Sequence, residues 1–267
     1  MAELPSSLLL PGVETLDLAA PLAHLREHGY ARLGPVVAPD VLATLRARAD
    51  ALMMGEVPNE GMFFQRDADT GRYEDLPYGR GWEGATLAYR KIEKLELDPL
   101  FFALLDNPLF ERVARSLSTE DITLYRAVLF TKPPGGGSDL PWHQDDGLFW
   151  GIDRPPLIQI WVALDDATEN GGCLEFVPGS HAAGIARPMG GVVRKDMLID
   201  RRADEQALAV PAKAGEAIVI HNHVWHRSKR SETGEMRRGF TACYLTASTK
   251  CLRTKKAPRV FPPVFRR

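Results

Sequence analysis

Residues 122–146 read ITLYRAVLFTKPPGGGSDLPWHQDD, and this stretch decides the fold class. An apolar run over residues 122–131 is followed by two prolines and three glycines, and a second short run then leads into two carboxylates. Runs of β-branched and aromatic residues that end in proline and glycine are typical of strands joined by turns. The stretch therefore predicts strands and a turn.

The rest of the second half has the same texture. Further short apolar runs are residues 157–164, 173–177, 216–220 and 240–246. Residues 169–172 and 231–234 are turn regions rich in glycine and acidic residues. Many short strands without alternating helices favour an antiparallel sandwich or barrel. We therefore predict a mainly β domain with flanking helices, a double-stranded β-helix (jelly roll, cupin-like) whose core spans residues 121–250.

The sequence pattern of the first 120 residues predicts helices and a lid. Residues 18–28 end at Gly29, residues 41–52 carry apolar side chains at helical spacing, and Asp98-Pro99 is a helix start signal. The glycine-rich segment 55–84 between them is predicted to be a lid. No internal repeat or linker is visible, so we expect one domain over residues 1–267, with residues 1–120 as helical buttress and lid and residues 251–267 as a solvated basic tail.

Composition limits the classes of function. The chain has 267 residues, 45% of them hydrophobic, and a net charge of −2, which argues against a general nucleic-acid-binding surface. No secretory signal and no membrane-spanning run is visible, so cytoplasmic residence is the expectation. The cysteines, Cys173, Cys243 and Cys251, are odd in number and none has CxxC spacing, so buried thiols are expected and not a disulfide framework. The oligomeric state stays open, a homo-oligomer included.

The sequence His143-Gln144-Asp145 suggests a metal site. Residues two apart on a strand point to the same face, so His143 and Asp145 can reach one ion together. A distant histidine on a neighbouring strand would complete the facial triad of non-haem Fe(II) oxygenases, which leaves open positions on the metal. His226 is the candidate third ligand.

Arg237 is a candidate anion-binding residue beside this metal. If the turn between two antiparallel strands is centred on Ser231-Glu232, His226 and Arg237 face each other across the ladder. A guanidinium there suits a bidentate grip on a small dicarboxylate that also chelates the metal. A bulge or a shift of one residue would give this role to Arg238 instead.

Several motifs together resemble the phytanoyl-CoA dioxygenase-like family of Fe(II)/2-oxoglutarate-dependent oxygenases. The resemblance covers residues 89–246. Its motifs are Lys91-Ile92-Glu93, Thr131-Lys132-Pro133-Pro134, His143-Gln144-Asp145, Trp161, Asn170-Gly171-Gly172-Cys173-Leu174, Val177-Pro178-Gly179-Ser180-His181, Gly215-Glu216 and residues 226–237. It implies the same jelly-roll fold.

The resemblance also implies roles for individual residues. His143, Asp145 and His226 would bind iron, and Arg237 would hold the distal carboxylate of 2-oxoglutarate. Residues expected to line the cosubstrate pocket are Lys91, Val128, Gln144, Trp161 and Ser228. Two of these residues also have a purely structural interpretation. Trp161 could pack in the core, and Lys91 could be a solvent-exposed charge.

The implied reaction is oxidation of an unactivated C–H bond in a small-molecule substrate. It would consume O2 and 2-oxoglutarate and release succinate and CO2, with ascorbate as the reductant in vitro. Related halogenating enzymes have a small residue in place of the carboxylate, so Asp145 favours hydroxylation. Residues expected to face the substrate are Phe63, Phe64, Tyr78, Phe149 and Trp150.

Two functions of other classes fit parts of the same sequence. A non-catalytic jelly-roll protein would keep the fold and bind a metal or ligand without turnover. A zinc hydrolase could use His221, His223 and His226, which form a histidine cluster of their own. The ordered set of motifs favours the oxygenase over both.

Overall fold

The computed structural model describes residues 8–254 and 258–267 and shows a mainly β architecture with flanking helices. The α-helices are α1 (Ala19–His28), α2 (Pro39–Met54), α3 (Pro99–Leu105), α4 (Pro108–Arg115), α5 (Lys195–Asp200) and α6 (Ala203–Gln206). The strands are β1 (Tyr30–Pro35), β2 (Phe63–Arg66), β3 (Tyr89–Glu93), β4 (Ile122–Lys132), β5 (Leu140–Gln144), β6 (Ile158–Ala163), β7 (Leu174–Val177), β8 (Gly191–Val192), β9 (Leu208–Val210), β10 (Glu216–Ile220), β11 (Trp225–Ser228), β12 (Arg237–Thr246) and β13 (Pro263–Phe265). Short 3-10 helices cover Val13–Thr15, Tyr73–Asp75, Leu95–Leu97 and Ser180–Ala183.

The strands form two antiparallel sheets. The large sheet has the order β1-β10-β6-β12-β4-β3-β2, and β13 also pairs with β4. The small sheet has the order β8-β5-β11-β7-β9. Neighbouring strands come from distant parts of the chain, as in a jelly roll. The predicted fold class is confirmed.

Local signals fix the helices that cover the large sheet. The Asp98 side chain accepts hydrogen bonds from the backbone N–H groups of Leu100 and Phe101 and so caps α3. Asn107 caps α4 in the same way, by accepting from the N–H of Phe110. These helices and α2 bury their apolar faces in one core, which includes Leu45 on α2. The predicted helical buttress is therefore a layer packed on the large sheet.

Strand β6 shows how the two faces of the large sheet are used. Every residue of β6 is buried. Its outer side chains, Ile158, Ile160 and Val162, pack with the helices. Its inner side chains alternate with these, and Trp161 and Ala163 pack against residues of the small sheet such as Phe176. The space between the sheets is therefore the place where side chains of both can meet.

The predicted lid, residues 55–84, is in part scaffold. Strand β2 lies within it and pairs with β3 as the last strand of the large sheet. Phe64 is 1% exposed in the helix-side core, and Met62 is also buried there. The apolar residues of this segment anchor it, and residues 67–84, which follow β2, belong to no strand and join the large sheet through a bridge between Phe64 and Arg80. Closure of that part over a ligand stays a prediction.

The C-terminal segment, which was predicted to be a solvated tail, is partly attached to the large sheet. Strand β13 pairs with β4, and Phe265 is buried against Tyr244. Pairing with a strand of the large sheet gives this segment a fixed course that its basic composition does not predict. Lys255 and Lys256 of the predicted basic cluster lie outside the described residues.

The cysteines agree with a further expectation. Cys173 and Cys243 are buried free thiols, and Cys251 is a half-buried one. None of the helices formed by residues 8–254 and 258–267 has both the length and the apolar composition needed to cross a membrane.

Candidate active site

Three predicted metal ligands meet between strands β5 and β11. These strands are antiparallel neighbours, and His226 lies directly opposite His143 in their register. The two imidazole rings are 4.0 Å apart between centroids. Asp145 follows β5, and one ligand atom from each of the three side chains lies within 4.8 Å of the others. The structure therefore brings His143, Asp145 and His226 together in a group that could hold a metal ion.

Hydrogen bonds orient all three ligands. The Nδ1 atom of His143 is 2.9 Å from the carbonyl oxygen of Pro141, and the Nδ1 atom of His226 is 2.9 Å from that of Val224. A carbonyl can only accept, so each Nδ1 carries the proton and each Nε2 keeps a free lone pair. The amide of Gln159 donates to Oδ2 of Asp145 at 2.8 Å. The donor set, two neutral imidazoles and a carboxylate, fits a divalent iron ion.

The protonation states agree with metal binding. Burial, with the neighbouring His226, lowers the pKa of His143 to about 4, so its imidazole is neutral at neutral pH. Burial opposes ionisation of Asp145, but its interactions with His226, His143 and Arg126 outweigh burial and hold its pKa well below the usual range. Both side chains are thus in the form that ligates a metal.

The alternative histidine cluster does not form. His223 forms a hydrogen bond with Asp146, with Nε2 and Oδ2 2.6 Å apart. The ring of His221 lies 4.9 Å from that of His181 at a tilt of 52°, and burial with that neighbour lowers the pKa of His221 to about 4. Within residues 8–254 and 258–267, the group of His, Cys, Asp and Glu side chains that could hold a metal is His143, Asp145 and His226. The geometry predicted for a zinc hydrolase is therefore absent from this part of the chain.

Arg237 is buried in the same cavity as the candidate metal ligands and has no acidic partner among the described residues. It is 3% exposed, and its guanidinium donates to the carbonyl oxygen of Gly172 and to Oγ of Ser228, the latter at 2.9 Å. Burial lowers its pKa to about 10. Among the described residues, no carboxylate lies within ion-pair distance of it. A buried, charged and unpaired guanidinium is suited to an anionic ligand.

The predicted pairing of Arg237 with His226 is wrong. Strand β11 pairs with β5 and β7 in the small sheet, whereas β12 pairs with β4 and β6 in the large sheet. The connection between them crosses from one sheet to the other and is not a hairpin. Ser228, which contacts Arg237, links the two residues. It lies two positions after His226 on β11, so the two positions are about 7 Å apart along the strand. That separation suits a small dicarboxylate that binds the metal with one end.

The pleat of β12 separates Arg237 from Arg238. Arg238 points to the helices, where it makes ion pairs of 2.8 Å with both Asp50 on α2 and Asp165. Adjacent residues of a strand face opposite sides, so Arg237 faces the small sheet. Arg237 therefore lines the cavity between the sheets, and Arg238 ties β12 to the helical layer.

This cavity has a volume of about 640 Å³, in the range of small-molecule sites. Most predicted site residues line it, namely His143, Asp145, His226, Arg237, Lys91, Gln144, Trp161, Ser228, Phe63, Tyr78, Phe149 and Trp150. Two do not contribute to its wall. Val128 is fully buried opposite Thr241, and Phe64 lies in the helix-side core because the pleat of β2 turns it away from Phe63.

Several cavity residues are held in place by specific contacts. The amide of Gln144 donates to the carbonyls of His223 and Gly184 and accepts from the N–H of Ala186, so it fixes the surrounding loops. Trp161 crosses Gly239 so closely that a Cβ there would lie 2.4 Å from its indole nitrogen. Lys91 is paired with Glu93 at 2.8 Å and is not a solvated charge. The cavity wall is thus largely preformed.

Several polar residues of the site were not identified from the sequence, and three of them lie on the central strands. Gln159, Arg126 and Lys132 all line the cavity. The signal was present, because each is a polar residue within or at the end of an apolar strand, where the buried inner face accepts it only with a partner. Lys132 lies directly opposite Arg237 in the register of β4 and β12. Its ammonium group donates to the carbonyl of Ser138 at 2.8 Å.

Lys132 predicts a pH dependence of stability. Burial, followed by the charges of Arg237 and Arg90, lowers its pKa to about 7. Between about pH 7 and 10 the unfolded chain then binds more protons than the native protein, so stability rises with pH. We expect the free energy of unfolding of the wild type to gain on the order of a few kcal/mol relative to Lys132→Met between pH 6 and pH 9.

Urea denaturation of both proteins at the two pH values measures this difference. Lys250→Met, which removes an exposed lysine, serves as the control and should follow the wild type at both pH values. Parallel pH profiles for the wild type and Lys132→Met would show that Lys132 is not titrating in this range.

The chain resembles proteins of known sequence and structure. The model of a family described as phytanoyl-CoA dioxygenase (PhyH) matches residues 25–239. A phytanoyl-CoA dioxygenase domain-containing protein 1 from Danio rerio is 31% identical over 151 residues, which are 54% of this chain and 52% of that protein. The chain thus spans about half the length of this curated relative.

Two solved structures share the fold. EctD from S. alaskensis, determined with 2-oxoglutarate and 5-hydroxyectoine, has a TM-score of 0.69 and 21% identity, over 91% of this chain and 81% of EctD. The epimerase SnoN, determined with Fe3+, alpha ketoglutarate and nogalamycin RO, has a TM-score of 0.69 and 20% identity, over 90% of this chain and 88% of SnoN. At this level of identity the likeness concerns the fold.

Proposed function

Because the chain belongs to the phytanoyl-CoA dioxygenase family, we propose that it is an Fe(II)/2-oxoglutarate-dependent dioxygenase that hydroxylates an unactivated C–H bond of a small molecule and releases succinate and CO2. One observation carries the proposal. A His-Asp-His group with free Nε2 atoms lies next to a buried arginine that has no acidic partner among the described residues. This pairing supports a metal ion together with an anion that reaches both.

Different residues of the cavity would bind the metal and the cosubstrate. His143, Asp145 and His226 would hold Fe(II), which when bound supplies the redox chemistry for O2 and 2-oxoglutarate. Arg237 and Ser228 would bind the distal carboxylate of the cosubstrate and so orient its other end toward the ligand group. Trp161 forms a wall beside the guanidinium, with 5.7 Å between the Arg237 guanidinium carbon and the ring centroid.

The protein also controls the surroundings of the reaction. Gln159 holds the Asp145 carboxylate, and the largely buried surroundings would limit the access of water to the ligand group. The cavity walls would place the reacting C–H bond, whereas the bond-breaking chemistry would belong to the cofactor. Asp145 supplies a carboxylate ligand, which supports hydroxylation over halogenation.

A turnover assay tests the proposal. The protein is incubated with Fe(II), ascorbate, 2-oxoglutarate and a panel of metabolites, and succinate is measured in air and under argon. We expect succinate to form only with Fe(II), 2-oxoglutarate and air together, and to increase with a substrate from the panel.

Two other results would each contradict it. Turnover of a panel compound under argon and without 2-oxoglutarate would indicate a hydrolase. Tight Fe(II) binding in a folded protein, with no succinate above the background of heat-denatured protein, would indicate a non-catalytic binding protein.

A further inference from the structure

The cavity carries far more positive than negative charge. Seven basic side chains line it, and the six besides Lys132, whose pKa is about 7, already outnumber the two carboxylates of Glu93 and Asp145. The basic side chains are Arg90, Lys91, Arg126, Lys132, Arg237, Arg253 and Arg259. Fe(II) and a doubly charged 2-oxoglutarate would cancel each other, so the proposed cofactors leave this excess unchanged. A further anion is therefore needed to balance the cavity when the site is filled.

Arg126 lies at the opposite end of the cavity from Arg237. Lys132 faces Arg237 in the sheet, and Arg126 is six positions earlier on the same strand, about 20 Å along it. The guanidinium of Arg126 is 3.6 Å from Oδ1 of Asp145 and stacks 4.5 Å from the ring of Trp150. Its Nε is buried without a hydrogen-bond partner among the described residues. This end is therefore close to the metal ligands but separate from the proposed cosubstrate end.

Two arginines of the C-terminal segment join Arg126 there. Arg259 stacks on Tyr125 at 4.5 Å, and Tyr125 stacks on Trp150 at 4.4 Å. Arg253 crosses Gly151, where a Cβ would lie 2.8 Å from its side chain, and its guanidinium is 3.5 Å from the carbonyl of Trp150. Within residues 8–254 and 258–267, neither Arg253 nor Arg259 has a carboxylate within ion-pair distance.

The nearest carboxylates do not form ion pairs with these two arginines. Glu93 is 2.8 Å from Lys91 and 3.7 Å from Arg126. The charge of Arg259 lowers the pKa of Glu93 and opposes the effect of burial on Glu96, but among the described residues neither carboxylate lies within ion-pair distance of Arg253 or Arg259. Aromatic stacking fixes the direction of Arg126 and Arg259 but leaves guanidinium N–H groups for hydrogen bonds to an anion.

We propose that Arg126, Arg253 and Arg259 bind the anionic group, a carboxylate or a phosphate, of the prime substrate. This inference rests on the proposed function, and it assigns a substrate class to the same cavity. Tyr125, Trp150 and Phe149 line the cavity around these arginines and suit an apolar or aromatic body attached to the anion. The anion at this end would set the distance between the substrate and the metal ligands.

A ligand-detected NMR titration with matched probes tests the inference. The probes are 3-phenylpropionate, its neutral amide 3-phenylpropanamide, and phenyl phosphate, each added under argon to the Fe(II)-loaded protein with saturating 2-oxoglutarate. We expect an anionic probe to bind about tenfold more tightly than the amide. The stronger of the two anions identifies carboxylate or phosphate as the preferred group.

Arginine variants test whether the anionic probe binds at the proposed arginines. Arg253→Gln removes an exposed side chain and should weaken the anionic probe about tenfold, with little change for the amide. Arg259→Gln should have the same effect. Arg194→Gln, an exposed arginine that does not line the cavity, removes the same charge and should leave the probe affinity unchanged.

The outcomes separate this inference from the proposed function. Equal affinity for the propionate and the amide, or unchanged affinity in both Arg253→Gln and Arg259→Gln, would overturn the anion site. Calorimetry of 2-oxoglutarate binding on the same samples tests the cosubstrate independently. Absence of 2-oxoglutarate binding, together with an anion preference that Arg253→Gln removes, would refute the proposed function and retain the anion site.

Discussion

Replacing Asp145 with alanine should abolish substrate-coupled succinate formation and lower the affinity for Fe(II) by more than about 100-fold. Loss of a residue that only supports a metal ligand already costs about 10- to 100-fold, so loss of a ligand should cost more. His143→Ala and His226→Ala should behave alike, because their Nε2 atoms and the Asp145 carboxylate converge on one position. Fe(II) titration of the purified variants under argon measures the affinity.

Two histidines of the neighbouring segment are matched controls. His221→Ala and His223→Ala remove the same side chain from residues outside the ligand group. His223→Ala should lower the melting temperature because it leaves the buried Asp146 without its partner, but it should keep Fe(II) binding. Equal loss of iron in these variants, with His226→Ala unaffected, would move the third ligand and refute the assignment.

Arg237→Ala should raise the apparent KM for 2-oxoglutarate by on the order of 100-fold or more and leave Fe(II) binding nearly unchanged. Removing one partner of a buried ion pair costs about 3–5 kcal/mol, and about 1.4 kcal/mol corresponds to a factor of ten. Arg237→Lys should recover only part of the affinity, since an ammonium group lacks the planar pair of donors. Steady-state kinetics with varied 2-oxoglutarate measure both variants.

Arg238→Gln is the control for this prediction. It removes the neighbouring arginine, leaves Asp50 and Asp165 without their shared partner, and should lower the free energy of unfolding. The KM for 2-oxoglutarate should stay close to that of the wild type. A normal KM in Arg237→Ala with a raised KM in Arg238→Gln would reverse the assignment of the two arginines.

The sequence predicted the fold class and the grouping of His143 with Asp145 because both depend on local spacing. Alternation along a strand is a local property, so His143 and Asp145 could be paired without knowledge of the rest of the chain. The third ligand followed from the chemistry of such sites and from the resemblance. The structure then placed His226 opposite His143 on an adjacent strand.

Properties that depend on how distant segments meet were not predictable. Strands β11 and β12 follow each other in sequence but lie in different sheets, and no residue in the connection between them signals that crossing. Phe63 and Phe64 are equally aromatic, and only the pairing of β2 shows which one faces the cavity. The basic C-terminal residues carry no apolar periodicity, so nothing in the sequence indicated that Arg253 and Arg259 would line the cavity.

The strand order of the two sheets has a consequence for the kinetics of folding. The metal ligands lie on β5 and β11, and Arg237 on β12 pairs with residues of β4 far earlier in the chain. Such non-local pairings require long loops to close, at a cost in chain entropy, before the stabilising contacts form. Folds of this kind therefore form in milliseconds to seconds and not faster. Neither half of the chain contains a complete site, and the ability to bind iron should arise only when the last ladders have closed.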